Sequence, residues 1–356
     1  MKKNVPYFLV FGVLALLSWM VWRQRSAGTL KVSETAFGIQ DTASVVRIFL
    51  ADRKGKQLTL ERPLGAAWKL NQTKVPRPDA VQTILETLHR WEVKTPVPRP
   101  AVQTVFRNLA TLGVKVEVYL ANKDKKVYYV GSGTPDMRGT YAMLEGSELP
   151  YVLHLPGWEG YLSTRFFTDE EEMRERVLFR LRPDSLARLV VEYPYEPQES
   201  YEILRQPDGV MQLRAFDPKT GQSGPELKLN PEAVASLWQG FGFMPVEGFE
   251  NNQPMRDSVP SRVPEKMRVR IWEKSGRLHL ISVYPKSQLN QLDVVLLNVA
   301  PDLDRDYFFH HGMNEFGVLQ RRAIPWFYAR RSQLTAGSCT GNRRVLEREI
   351  LFLRKN

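Results

Sequence analysis

His310 and His311 are adjacent and stand just downstream of Asp302, Asp304 and Asp306. Imidazole and carboxylate are ligand types of a divalent metal site, which needs them to converge on one point. Neighbouring residues of a strand face opposite sides, so the two histidines do not readily share an ion, and no metal is expected. His89 sits on a helical pattern, and His154 and His279 sit inside strand patterns; all three are expected as satisfied side chains. Cys339 is the single cysteine and lies in a small-residue loop. It excludes an intramolecular disulfide framework and a cysteine-cluster metal site, and a thiol nucleophile would need a neighbouring base. Glu170, Glu171 and Glu172 occupy one turn and point in different directions, a poor arrangement for an acid–base pair. Gly131-Ser132-Gly133-Thr134 lacks the lysine and following helix of a phosphate loop and reads as a turn. Neither a Gly-x-Ser-x-Gly elbow nor a His-Glu-x-x-His pair is present. No catalytic residue, cofactor or metal is therefore expected.

Charge is the other chemical signal. The 356 residues carry 50 Lys and Arg against 39 Asp and Glu, a net +11, so anionic partners are plausible. The excess is concentrated at the end. Residues 317–356 hold Arg321, Arg322, Arg330, Arg331, Arg343, Arg344, Arg348, Arg354 and Lys355 against Glu347 and Glu349. Trp326, Phe327 and Tyr328 are interleaved with them. Aromatics among arginines suit a protein partner, a lipid surface or stacked bases. The expected interaction surface is Arg321, Arg322, Trp326, Tyr328, Arg330, Arg331, Arg343 and Arg344. Asn342 is a candidate cap for a last helix, with Arg348–Leu353 as an edge strand the alternative.

The elements that would position these groups begin with an anchor. Val5–Trp22 is uncharged, and at ~1.5 Å rise per residue it would nearly match the ~30 Å hydrocarbon core. Tyr7, Trp19 and Trp22 lie near its ends, where amphipathic rings favour the interface. A cleaved signal would have only Ser26-Ala27-Gly28 as its site, so an uncleaved single transmembrane helix is expected. Lys2 and Lys3 precede the span and Arg23, Arg25 and Lys31 follow it, a near tie resolved here as amino terminus inside.

After a polar linker the pattern alternates. Val46, Ile48 and Leu50 oppose Arg47, and Gln57–Arg62 alternates again across the Arg53-Lys54-Gly55-Lys56 turn, as in a hairpin. Pro78 opens a helix with Val81, Ile84, Leu85 and Leu88 on one face. The same order returns. Ser185–Val191 lies over Ser44–Leu50, Tyr201–Arg205 over Leu58–Arg62, and Pro231-Glu232-Ala233-Val234 over Pro78-Asp79-Ala80-Val81, with an offset that grows as loop insertions would make it. Further strands are expected at Val114–Leu120, Lys126–Val130, Tyr141–Leu144 and Tyr151–Leu155. Their counterparts are Met267–Trp272, Leu278–Tyr284, Leu292–Val299 and Phe316–Gln320. A second helix spans Ala101–Leu112 and stops at Gly113. Between the halves, Thr168-Asp169-Glu170-Glu171 reads as a capping box for a helix Asp169–Arg176. The expected class is α+β: a transmembrane helix followed by a duplicated, mainly antiparallel sheet-plus-helix unit. The divisions are 1–25 anchor, 26–43 linker, 44–166 first repeat, 167–184 connecting helix, 185–330 second repeat and 331–356 basic segment.

Gln57-Leu58-Thr59-Leu60-Glu61-Arg62 with Trp68-Lys69-Leu70 resembles a bacterial family known as domain of unknown function 4340. So do Tyr128-Tyr129-Val130-Gly131, Gly139-Thr140-Tyr141, Pro150-Tyr151-Val152 and Phe166-Phe167 before Arg174. The resemblance covers residues 40–330; the basic end does not match its pattern. It implies a cell-envelope protein with one N-terminal span and a repeated body, some members being encoded near transporter subunits linked to gliding motility. It carries over no catalytic residue. Together these readings lead to an expected non-enzymatic scaffold or accessory subunit of a membrane complex. It would sit in the bacterial inner membrane through residues 5–22, with a periplasmic body, a protein partner and no nucleic acid. One alternative is a hydrolase or transferase on envelope polymer with a cleft between the repeats. The other is a cytoplasm-facing anchor binding anionic lipid or nucleic acid through the basic end.

Overall fold

The computed structural model of the chain describes residues 15–16, 18–20, 36–287 and 301–336. These divide into two compact units between Arg174 and Glu175.

Unit 1 contains β1 (Val45–Ala51), β2 (Gln57–Glu61), β3 (Lys69–Leu70), α1 (Pro78–Arg90), β4 (Glu92–Pro96) and α2 (Arg99–Leu112). It continues with β5 (Val114–Leu120), β6 (Lys125–Gly133), β7 (Thr140–Leu144), β8 (Tyr151–His154) and α3 (Glu170–Met173). Its strands form one antiparallel sheet in the order β3-β2-β1-β5-β6-β7-β8-β4. Side chains alternate across a strand, so each strand feeds two cores. Tyr128 and Val130 of β6 join Val81, Ile84 and Leu88 of α1 on one face. Tyr129 joins Val105 and Leu109 of α2 on the other. Buried positions along α1 recur every three or four residues, which is what turns the helix toward the sheet.

Unit 2 contains β9 (Val177–Arg180), β10 (Leu186–Glu192), β11 (Tyr201–Arg205), β12 (Met211–Asp217), β13 (Gln222–Leu227), α4 (Pro231–Gly240) and β14 (Phe243–Pro245). Then come β15 (Gly248–Phe249), α5 (Met255–Arg262), β16 (Met267–Glu273), β17 (Leu278–Ser287), β18 (Pro301–His310), β19 (Glu315–Gln320) and α6 (Arg331–Leu334). The main sheet runs β13-β12-β11-β10-β16-β17-β18-β19-β15, and β9 pairs with β14 apart from it. Again one helix, α4, packs on the larger core and another, α5, on the smaller.

The strand order is the same in both units, with β13 an additional edge strand in unit 2. Detail repeats as well. Ser44 and Ser185 each donate to a backbone carbonyl three residues back, that of Asp41 or Arg182, at 2.7 Å. A register shift follows in each first strand, and Arg47 then pairs with Tyr119 as Arg188 pairs with Trp272. The guanidinium lies over the ring in both, 5.1 and 4.5 Å from its centroid, a cross-strand cation–π contact.

Several expectations are corrected. The expected α+β class, a transmembrane helix followed by sheet-plus-helix units, does not hold: the described residues form three antiparallel sheets with few helices. Strands β4, β15 and the β9–β14 pair are short, and β18 reads Pro-Asp-Leu-Asp-Arg-Asp before its aromatics. Charge and brevity hide such segments from a hydrophobic-period reading. No helix among the described residues is long and apolar enough to cross a membrane. Of Val5–Trp22, only Ala15, Leu16 and Ser18–Met20 are described, as helical residues; the remainder lies outside the described residues. The single-pass class, the inner-membrane location and the periplasmic body therefore stand without structural support and are withdrawn. An apolar run specifies removal from water and not the medium that removes it. The expected strand Leu292–Val299 also lies outside the described residues. The expected helix Asp169–Arg176 is only Glu170–Met173, and its cap is Asp169, which accepts from the Glu171 and Glu172 amides. Thr168 instead donates to Asp52 at 2.9 Å.

Gly131 and Gly133 lie within β6. A Cβ at Gly131 would stand 2.8 Å from Leu109 Cδ2 and 3.2 Å from the Tyr141 carbonyl. The glycine lets α2 approach the sheet. Gly131→Val should cost about 1–3 kcal/mol by overpacking, whereas Ser132→Ala on the exposed neighbouring position should change stability by less than about 0.5 kcal/mol. Equal denaturation midpoints for the two variants would refute this role.

Candidate functional site

The residues singled out for metal chemistry do not form a metal site. His310 lies on β18 and His311 just beyond it, and they face opposite sides. His311 Nε2 is 2.9 Å from Ser282 Oγ. His310 Nε2 is 3.1 Å from His279 Nδ1, and His279 Nε2 is 3.1 Å from Glu273 Oε1. The Met313 amide donates to His310 Nδ1 at 3.0 Å. That amide makes His310 Nδ1 an acceptor, so Nε2–H donates to His279 Nδ1, and His279 Nε2–H donates to the Glu273 carboxylate. All four ring nitrogens are thereby committed, and both histidines are buried. Burial, and then the proximity of the His279 ring, lower His310 to about 4. The relay is a satisfied polar ladder inside unit 2 and presents no free nitrogen to a substrate. His89 Nδ1 is likewise occupied, 2.9 Å from the Ile39 carbonyl. Among the described residues no group of three acidic, histidine or cysteine side chains could hold a metal ion.

The acidic turn is tied down. Asp169 meets Lys56 at 2.6 Å, and Glu170 meets Lys74 and Asn71. Burial alone would raise the Glu170 carboxyl, but Lys74 and Asn71 outweigh it and hold it below the ordinary carboxylate range. Glu171 pairs with Arg174 at 3.2 Å.

The basic, aromatic surface expected near the end of the chain is mostly neutralised and partly interior. Arg321 makes a bidentate pair with the fully buried Asp306, at 2.7 and 2.8 Å. Arg322 meets Asp304 at 2.8 Å. Arg330 pairs with Glu196. Tyr328 lies between Lys266 and Arg321, each 5.7 Å from its ring centroid. Trp326 packs edge-on against Phe241 at 4.9 Å, and Gly240 leaves it room: a Cβ there would come within 2.4 Å of the indole. Phe327 is fully buried in the main core of unit 2. Arg343, Arg344, Cys339, Asn342 and Arg348–Leu353 lie outside the described residues.

Arg331 differs from the other three described arginines of this surface. It begins α6, is half-buried, and its guanidinium has no carboxylate partner among the described residues. It borders an open cleft of about 440 Å³ walled by the β12–β13 hairpin. Pro197 and Ala215 supply the accessible apolar wall, Phe216 being almost wholly buried; Thr220, Gln222 and Ser223 supply polar groups. The Asp217 carboxylate also borders the cleft, but its oxygens accept from the Lys219 amide at 2.9 Å and the Thr220 hydroxyl at 3.0 Å. Those hydrogen bonds, the Lys219 amide first, keep it below the ordinary aspartate range. Ser223 donates to Glu202, which Arg188 also holds at 2.6 Å. Among the described residues the cleft thus offers a cation in no ion pair, beside a small apolar surface, with the ionised Asp217 also on its wall. That arrangement can hold and orient an anion.

The sequence pointed to the arginines but not to which of them is unpaired, nor to the hairpin beside it. Asp302, Asp304 and Asp306 were read for metal chemistry; Asp304 and Asp306 instead serve as the counterions of Arg322 and Arg321. Neither the curated proteins nor the solved structures give a match to this chain. The family model described as "Domain of unknown function (DUF4340)" matches residues 68–258, more than half of the chain, and the chain belongs to that family.

Proposed function

We propose that this chain is a non-enzymatic interaction scaffold or accessory subunit that holds a protein partner at the cleft of unit 2. The observation that carries the reading is the Arg331 guanidinium, in no ion pair among the described residues on an open cleft, while Arg321, Arg322 and Arg330 are neutralised by Asp306, Asp304 and Glu196. Interface cores favour arginine beside apolar wall. A cation already paired within its own unit has less to gain from a partner.

A photo-crosslinking side chain at Gln222 in the full-length chain tests this in the cells that make it. One discrete protein adduct is expected, and Arg331→Glu should reduce it at least tenfold, since charge reversal sets like charges together. Persistence of the adduct in Arg331→Glu would remove the cleft from the interface. Substrate turnover by the purified chain that a point mutation abolishes would replace the scaffold reading with an enzymatic one.

A further inference from the structure

The closing segments of the two units superpose in sequence and show what the cleft lacks. In unit 1, Phe166 and Met173 are buried in the core and Arg174 bridges to Pro76, two residues before α1. In unit 2, Phe327 and Leu334 are buried in the core and Thr335 bridges to Leu229, two residues before α4. The spacing is identical, so Asp169 occupies the position of Arg330 and Glu170 that of Arg331. The first of these positions is tied to the loop between the first two strands in both units, with the signs exchanged. Asp169 meets Lys56 in unit 1, and Arg330 meets Glu196 in unit 2. The Ser332 amide adds a bond to Glu199 at 3.0 Å.

The second position completes the comparison. In unit 1, Glu170 is held by Asn71 and Lys74, which flank a tight link where Leu70 bridges to Lys74. In unit 2 that link has grown into the β12–β13 hairpin. The residue opposite is Arg331, and the hairpin supplies no carboxylate to it. Asp217, the one acid lining the cleft, is turned to the Lys219 amide and Thr220 hydroxyl of its own loop. Unit 1 closes the slot with an internal ion pair; unit 2 leaves the cationic half exposed to a ligand.

We infer that the cleft takes an acidic side chain of a partner polypeptide, its carboxylate paired with Arg331 and its flanking apolar residue against Pro197 and Ala215. This rests on the scaffold reading and names what the partner must present. Arginine and carboxylate form a two-point, planar pair. Half-burial of Arg331 beside an apolar wall raises the strength of that pair above that of an exposed one. Asp217 disfavours a multiply charged anion more than a single carboxylate, which separates an acidic side chain from a phosphate group.

The full-length chain can be titrated with the peptide acetyl-Gly-Val-Glu-Val-Gly-Lys-amide, labelled on its lysine with an uncharged fluorophore, and with its glutamine analogue, by fluorescence anisotropy. The glutamate peptide should bind about tenfold or more tightly than the analogue, a difference of about 1.4 kcal/mol. Arg331→Gln should abolish that difference, and Arg322→Gln, which pairs with Asp304 and does not line the cleft, should preserve it. Equal binding of the two peptides, or an equal loss in Arg322→Gln, would overturn the inference. Displacement of the glutamate peptide by inorganic phosphate at equal ionic strength, at concentrations below those needed for acetate, would also overturn it by assigning the cleft to phosphate. If Gln222 crosslinks a partner but the two peptides bind alike, the scaffold reading survives and the carboxylate assignment fails.

Discussion

Arg321→Ala should destabilise unit 2 by about 3–5 kcal/mol, the usual cost of leaving a buried charge without its partner. Asp306 has no exposed surface, and Arg321 supplies both of its close ion-pairing hydrogen bonds. Lys266 remains 3.5 Å from one carboxylate oxygen, beyond the reach of a close charge-assisted hydrogen bond. The carboxylate sits on β18, an interior strand between β17 and β19, out of reach of solvent. Replacing both members, Asp306→Leu with Arg321→Met, should recover most of the loss, because the penalty comes from the orphaned charge and not from the missing attraction. Denaturant midpoints for the single and double variants decide the matter. A single variant within about 1 kcal/mol of the parent would mean that the pair is hydrated in solution.

Unit 2 should also lose stability as pH falls through the window between 6.5 and about 4. His310 titrates at about 4 in the folded chain, first because it is buried and then because His279, His311 and Arg277 are close. In the unfolded chain it titrates near 6.5. Below 6.5 the unfolded state takes up a proton that the folded state refuses, so stability falls with pH until the folded value is reached. The full difference is worth ~3 kcal/mol. A second cost accompanies protonation: His310 Nδ1 would become a donor facing the Met313 amide, another donor. Glu273, at the far end of the relay, bonds His279 and does not contact His310. The carboxyls of the buried Glu192 and the half-buried Glu250 are raised by desolvation and shift stability in the opposite sense. The comparison must therefore be against His310→Gln, which keeps an acceptor for the amide and does not titrate. Hydrogen exchange of the β17 and β18 amides at pH 7 and pH 4.5 should show the parent losing more protection than the variant. Parallel losses would exclude His310 as the source.

The order of elements was largely legible before any coordinates, and for a local reason. Alternation at Val46, Ile48 and Leu50 and helical spacing at Val81, Ile84 and Leu88 are written along the chain, because a strand or helix buries the same face at a fixed period. The repeat could be read where those periods coincide, from Ser44–Leu50 against Ser185–Val191 onward. The closing segments escaped that reading. Thr168–Met173 and Ala329–Leu334 share buried anchors but have opposite charges, so side-chain identity conceals what backbone position reveals.

By itself the sequence determined the two-fold repetition of strands and the α1 and α4 helices that follow, together with the concentration of arginine near the end. It also limited covalent chemistry through its single cysteine. Only the tertiary structure decided which charges are spent. Asp306 and Arg321 are joined by hydrogen bonding across the end of β19, Arg330 finds Glu196 from a distant loop, and Arg331 faces the β12–β13 hairpin in no ion pair among the described residues. Pairing depends on distances between residues far apart in the chain, and the energy of an ion pair varies with separation and burial. Neither quantity is carried by composition or period. The same distinction explains the histidines. Strand alternation could separate His310 from His311, but the contact of His310 with His279 exists only because β17 and β18 are neighbours in register.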